Sequence, residues 1–327
     1  MSRKRNLVPL LVLGIFGVLV VVAIVISRPA DNKIPPKAEG WDPGQRADEL
    51  NEPKTPSVSL SSLTPEQSET LVVVSDQEPV TGWFNGEPFP FFALHGRWVA
   101  LVGVSAKLAP GSYDLQVVFP SQKVAERVEV QKRAFPVTQL VVTPELEEQG
   151  YTPSSIAENI ALRENVMIQR AMERVAEPPY FTGPFYNPLA SMNVVGAYGN
   201  IRKSGDIELQ HLGLDLGAAM GTNVYAVNDG VVSFEDSLTN YGKTLIIDHG
   251  LGLYSLYLHL SEFQVSEKEE VKRGEVIARS GNTGYSIAPH LHYSMKLRGS
   301  SIDPSLFCDI VNREVFGLAG CLQRKIE

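Results

Sequence analysis

The sequence is short of several residue types from which sites are commonly built. Among 327 residues only two are cysteine, Cys308 and Cys321, so no thiolate zinc cluster can be assembled within one chain. Positive charge is also scarce. Lysine and arginine number 29 against 37 acidic residues, a net charge of -8, which removes the electrostatic footprint that nucleic-acid binding needs. Histidine occurs six times, and five of the six lie between residues 211 and 292. The chain is otherwise ordinary: 43% hydrophobic and 20% charged residues can bury a good core, enough for two folded units.

One long apolar run is present. After Arg3, Lys4 and Arg5 comes LVPLLVLGIFGVLVVVAIVI, residues 7–26, which at about 1.5 Å per residue can cross a bilayer core of roughly 30 Å. It is longer than a signal-peptide core and no A-x-A site follows it, so residues 1–27 are read as a cytoplasmic N-terminus with a single-pass transmembrane helix. Arg28, Lys33 and Lys37 nearly balance the basic residues before the run, and charge alone leaves the orientation open. Residues 28–65 are proline-rich and polar without either hydrophobic period, the composition of a semi-extended tether.

The remainder reads as mainly β. Residues 66–142 hold short β-branched and aromatic runs such as ETLVVVSD, RWVALVGVS and SYDLQVVFP, punctuated by Asn85-Gly86 and Pro110-Gly111; this predicts a small accessory domain resembling a β-sandwich. His95 sits at an apparent turn there, with a surface or packing role. Residues 143–180 form a connector. Within it Ile156, Ile160, Met167, Ala171 and Val175 recur near the helical period, Ser154 or Thr152 caps the start, and Pro178-Pro179 stops the helix. Residues 181–327 form a compact antiparallel β domain.

The chemistry gathers in that last domain. In a strand, residues two or four apart share a face. His290 and His292 in PHLHYS therefore project together, as do His211 and Asp215 in HLGLD if that segment is extended, and Tyr257 and His259 in LYLHL. Two histidines and a carboxylate make a catalytic zinc set, with the fourth position left for water. His249, at a strand end, is read as a satisfied core or surface residue and not a ligand.

These segments also carry a resemblance. HLGLDLG, TNVYAVNDGVV, YGKTLIIDHGLGLYSLYLHLS, VKRGEVIARSGNTG and PHLHYS are similar, in order, to the motifs of lysostaphin-type (LytM-like) zinc endopeptidases, over residues 184–305. The resemblance implies an antiparallel β groove holding Zn2+, with glycines such as Gly221, Gly230, Gly242, Gly274 and Gly281 at its turns. It implies His211, Asp215 and His292 as metal ligands, and His259 and His290 as catalytic histidines. His290 is expected to be the general base and His259 the residue stabilising the tetrahedral intermediate, with the two roles exchangeable. Ser286-Ile287-Ala288 departs from the family's usual Ser-Thr-Gly run, which bears on substrate preference. The implied function is hydrolysis of peptide bonds in peptidoglycan stems or cross-bridges. That places the protein at the inner membrane with its C-terminal domains extracytoplasmic, within reach of a regulatory envelope protein. Catalytically inactive LytM-like modules that activate other hydrolases are the alternative. In that compartment Cys308 and Cys321 either close a short disulfide loop or remain free thiols.

Overall fold

Strands whose burial alternates face water on one side, and strands buried throughout are covered on both; this distinction organises the molecule. The computed structural model describes residues 55–323. The apolar run at residues 7–26, expected to span a membrane, and most of the expected tether lie outside them. Among the described residues no helix is long and apolar enough to cross a membrane.

The accessory module consists of two four-stranded antiparallel sheets. One runs Val58–Leu60, Thr70–Ser75, Arg97–Gly103, Phe92–Leu94; the other Glu87–Phe89, Thr81–Phe84, Gly111–Val118, Lys123–Val130. Leu71, Val73 and Val102 from the first meet Phe84, Leu115, Val117 and Val128 from the second. Asn85 and Gly86 both take positive φ, 51° and 79°, the geometry of a two-residue hairpin turn. The second sheet keeps a wet face, as the alternating burial of Lys123–Val130 shows. The first does not. Val72, Val99 and Leu101 turn away from the sandwich into a cluster with Phe181, Leu297, Ile302 and Phe307 of the C-terminal domain. The module is thus a sandwich in its strands but not separate in its packing, since one of its sheets is an internal layer.

The largest sheet is antiparallel and lies in the C-terminal domain, in the order Val194–Gly196, Leu214–Gly217, His290–Leu297, Leu253–Leu260, Gly242–Asp248, Gly230–Leu238, Glu270–Val271. Every residue of Leu253–Leu260 is buried. Leu253, Tyr257 and Leu260 join the main core, whereas Tyr254, Leu256 and Leu258 pack with Ile246 and with Ile168 of the connector. The connector helix therefore covers the outer face of this sheet. It begins at Pro153 with Thr152 and Ser155 in a reciprocal capping box, passes through a π-helical turn at Ile160–Glu164, and ends at Ala171, before the expected stop at Pro178-Pro179. Before it, the strand Val137–Gln139 joins a three-stranded sheet as the parallel neighbour of Ile201–Ser204, and the Tyr285 hydroxyl donates to the Val141 carbonyl.

No helix is expected from the sequence after residue 303, yet Pro304–Phe316 is helical. Asp303 caps it with a side-chain oxygen on Ser305 N, and Gly317 ends it at φ 68°. Asp-Pro followed by a distant glycine was the available signal. Cys308 and Cys321 are disulfide-bonded, Cα–Cα 5.3 Å, which ties the segment after the helix to its core-facing side.

If the shared layer is one core, Leu101→Ala in the accessory module is expected to cost about 2–5 kcal/mol and to lower a single unfolding transition of the whole chain. Calorimetry showing two transitions, only one of them shifted, would contradict this.

Candidate metal centre

The site is assembled by the register of one strand. In His290–Leu297, His290 and His292 stand on one side and Leu291 is fully buried on the other, as two-residue periodicity requires. Asp215 of Leu214–Gly217 pairs directly with His292, and Leu258 of Leu253–Leu260 pairs with it from the other side. His211 arrives differently from the expectation. It follows strand Ile207–Gln210, outside regular strand, and is fixed by backbone bonds His211 N to Asn200 O, 2.8 Å, and Gly199 N to His211 O, 2.7 Å. The chain then bends through Gly213 into Leu214–Gly217. His211 and Asp215 converge through that bend and not through strand alternation. At Gly213 a Cβ would lie 2.4 Å from His292 Nε2 and 2.6 Å from Ser294 Oγ, so only glycine lets the bend pass this close to the His292 ring.

Three donor atoms meet at the centre. His211 Nε2 is 2.8 Å from Asp215 Oδ1, His292 Nδ1 is 2.9 Å from the same oxygen, and the two ring nitrogens are 2.9 Å apart. The far nitrogens are engaged elsewhere: His211 Nδ1 with the Ala197 carbonyl at 3.0 Å, His292 Nε2 with Ser294 Oγ at 2.8 Å. A carbonyl can only accept, so the His211 proton is on Nδ1 and its Nε2 lone pair faces a carboxylate oxygen. Facing lone pairs repel unless a cation or proton lies between them. The donor set, two imidazoles and one carboxylate on a closed triangle, fits a zinc ion, and the outer contacts are those that orient metal-binding histidines.

Electrostatics follow from burial. Burial pushes Asp215 upward, but the imidazoles of His211, His290 and His292 around it outweigh that and hold the carboxyl far below the usual range. Burial pushes His292 down to about 4, which keeps its ring neutral and available as a ligand. Arg202 Nη2 donates to Asp215 Oδ2 at 3.0 Å, a contact the sequence reading did not anticipate.

The two remaining histidines lie alongside. The His259 and His290 ring centroids are 4.8 Å apart, and His259 lies 6.0 Å from His292. His290 Nε2 is 3.5 Å from Asp215 Oδ1, and its Nδ1 faces the Ala288 carbonyl at 2.8 Å. His259 does not reach the site by alternation with Tyr257. Tyr257 opposes Leu245 and Leu260 opposes Lys243, so three residue steps on one strand match two on the other. This bulge carries His259 at φ 60° and turns its ring from the core face toward the donor triangle. Its Nδ1 faces the Thr283 carbonyl at 2.8 Å. Burial, with His290 and His292 nearby, pushes it down to about 3. Both rings thus carry their proton on Nδ1 and offer Nε2 as an acceptor. His259 at rest lacks the proton that its expected part toward a tetrahedral oxygen requires.

The other histidines are packing residues. His249 is fully buried, with Nδ1 facing the Asp229 carbonyl at 2.7 Å and Nε2 accepting from Ser255 Oγ at 2.8 Å. His95 packs edge-on against Phe316. Of the expected turn glycines, Gly221, Gly242 and Gly274 take positive φ. Gly230 and Gly281 instead allow close approach, to Asp248 O and to the Leu260–Ser261 backbone.

Residues 209–304 match the family described as Peptidase family M23. Over 94 residues the chain is 43% identical to the DD-carboxypeptidase/endopeptidase Mpg of Neisseria meningitidis, covering 29% of this chain and 22% of Mpg. It is 40% identical over 93 residues to the peptidoglycan DD-endopeptidase ShyA of Vibrio cholerae, covering 28% and 22%. It is 35% identical over 97 residues to the murein hydrolase activator EnvC of Escherichia coli, covering 30% and 23%. The similarity therefore spans less than a quarter of each of these relatives.

Two outcomes are expected. Gly213→Ala should abolish high-affinity zinc uptake, measured by competition with a chelator, while leaving the fold's circular dichroism intact. His249, pushed by burial from 6.5 to about 4, is neutral in the fold. Between those values the unfolded chain binds the extra proton, so its contribution is fully present above about pH 6.5 and is lost as pH falls toward 4, on the order of 3 kcal/mol. Denaturant unfolding at several pH values should show a flatter acid limb for His249→Gln; an unchanged slope would refute the assignment.

Proposed function

Because residues 209–304 form a LytM-like domain of peptidase family M23, we propose that this chain is a zinc-dependent endopeptidase cutting peptide bonds in the stem or cross-bridge peptides of peptidoglycan. The observation carrying this reading is the complete donor triangle of His211, Asp215 and His292, with two further imidazoles beside it. Such a site needs ligands and a proton acceptor, and residues for both are present.

His211 Nε2, His292 Nδ1 and Asp215 Oδ1 would hold the ion. When bound, zinc supplies Lewis-acid polarisation of the scissile carbonyl and acidifies the attacking water. The chain's own part is proton handling. His290 presents an Nε2 lone pair next to the ligand oxygen, positioned to take the water proton, and the Ala288 carbonyl fixes that tautomer. His259, held by Thr283, presents the same kind of lone pair from the bulge. A proton taken by this pair can be returned to the departing amine, which would otherwise leave as an anion. The short distance between the rings makes the two positions exchangeable.

The apolar run at residues 7–26 is the proposed anchor in the inner membrane, with the enzyme on the outer side, where peptidoglycan lies. Similarity to EnvC, named as a murein hydrolase activator, favours one second reading, in which the domain binds and activates another hydrolase without cutting.

The test is a digest of purified peptidoglycan by the full chain, with products read by mass spectrometry. One zinc per chain and released peptide fragments are expected, both abolished by a chelator or by Asp215→Ala. His290→Ala should retain zinc and lose about 10²–10⁴-fold in rate. Zinc-loaded protein that releases nothing alone but stimulates a second hydrolase would favour the activator. Digestion indifferent to the chelator would sink the metal mechanism.

A further inference from the structure

The carboxylate of Asp215 is held from behind as well as from the site. Its Oδ1 faces both ligand imidazoles, and its Oδ2 accepts from Arg202 at 3.0 Å. We propose that Arg202 is a positioning residue for the metal site, fixing the rotation of the Asp215 carboxylate so that one oxygen alone is presented to the ion. This rests on the metal reading of His211, Asp215 and His292 given above.

Two independent features build this hold. Arg202 lies on Ile201–Ser204, the middle strand of its sheet, paired to Leu209 on one side and Thr138 on the other, so the base of its side chain is fixed. Opposite Asp215, strand Val194–Gly196 places Gly196 in register with it, and a Cβ there would stand 2.4 Å from Oδ2. The glycine keeps clear the space in which Oδ2 lies. Without Arg202 the carboxylate could rotate about its last bond and offer both oxygens. A second oxygen on the ion would take the coordination position that a catalytic zinc site keeps for water.

The sign of the effect separates this role from simple charge. A guanidinium beside a cation site repels the ion, so if Arg202 acted only through its charge its removal would tighten metal binding. As a positioning group its removal weakens binding, by about 10–100-fold for such outer contacts. The contact is a single N–H···O bond, so lysine can supply it.

The experiment compares the full chain with R202Q and R202K. Zinc affinity is measured by chelator competition, ligand-field bands on the cobalt-loaded protein, and thermal unfolding without metal. R202Q is expected to bind zinc about 10–100-fold more weakly and to change the cobalt spectrum, at an unchanged metal-free unfolding temperature. R202K should recover most of both. Zinc binding by R202Q equal to or tighter than the parent's, with the parent's spectrum, overturns the proposal, even if the KM for peptide substrates rises. If R202Q fails to fold, R202K decides: parent-like affinity and spectrum support the role, and lost affinity in a folded protein refutes it. A parent chain that takes up no metal defeats the metal reading and this inference together; a metal-binding parent with an indifferent R202Q defeats the inference alone.

Discussion

Everything at this site depends on the register of one strand, His290–Leu297, held between two others. Its pairing sets His292 opposite Asp215 on one side and Leu258 on the other. A slip of one residue would send both histidines into the core and bring Leu291 out. The register is enforced by burial: Leu291, Met295 and Leu297 are at most 1% exposed, so a slip would also expose these apolar side chains to water. The hydrophobic core and the donor triangle are thus two faces of one constraint. The site needs no separate device to align His290 with His292, because the side-chain period of a strand already does so.

The remaining donors are brought in by departures from regular structure. His211 enters through a bend that Gly213 makes possible, and His259 through a bulge in left-handed backbone. Such irregularities commonly gather where side chains must be aimed. Which ring nitrogen faces inward is set by backbone carbonyls. Ala197, Thr283 and Ala288 each present a backbone carbonyl to an Nδ1, and this fixes the tautomers of His211, His259 and His290 without any charged partner.

What the sequence revealed followed the same division. The pair His290 and His292 was legible from alternation alone, since a strand leaves no other arrangement. A cap at Thr152 or Ser154 and the turn at Asn85-Gly86 were legible because capping and turn chemistry are local, although the reciprocal part of Ser155 was not read. The role of Gly213, the bulge at His259 and the Arg202 contact were not. Each depends on an approach between segments distant in the chain, such as Arg202 to Asp215 across a sheet boundary, and no local pattern encodes it. The connector's stripe was legible only in part: Ile156 is buried as read, but Met167 and Val175 are exposed and Ile168 takes the inward place, and the stripe could not name its partner, the outer face of Leu253–Leu260. The C-terminal helix was within reach, signalled by Asp303-Pro304 at its start and Gly317 at its end.

The internal layer formed by Val72, Val99 and Leu101 has a consequence for how such a protein can change over time. Sequence similarity to Mpg, ShyA and EnvC covers fewer than a hundred residues, a stretch that looks like a cassette. In this chain the cassette's surface has been committed to a neighbour. Swapping the accessory module for another would leave an apolar wall without a cover, so the two parts must now drift together, each substitution at their seam judged by the other side. The inherited unit is then larger than the motif by which it is found.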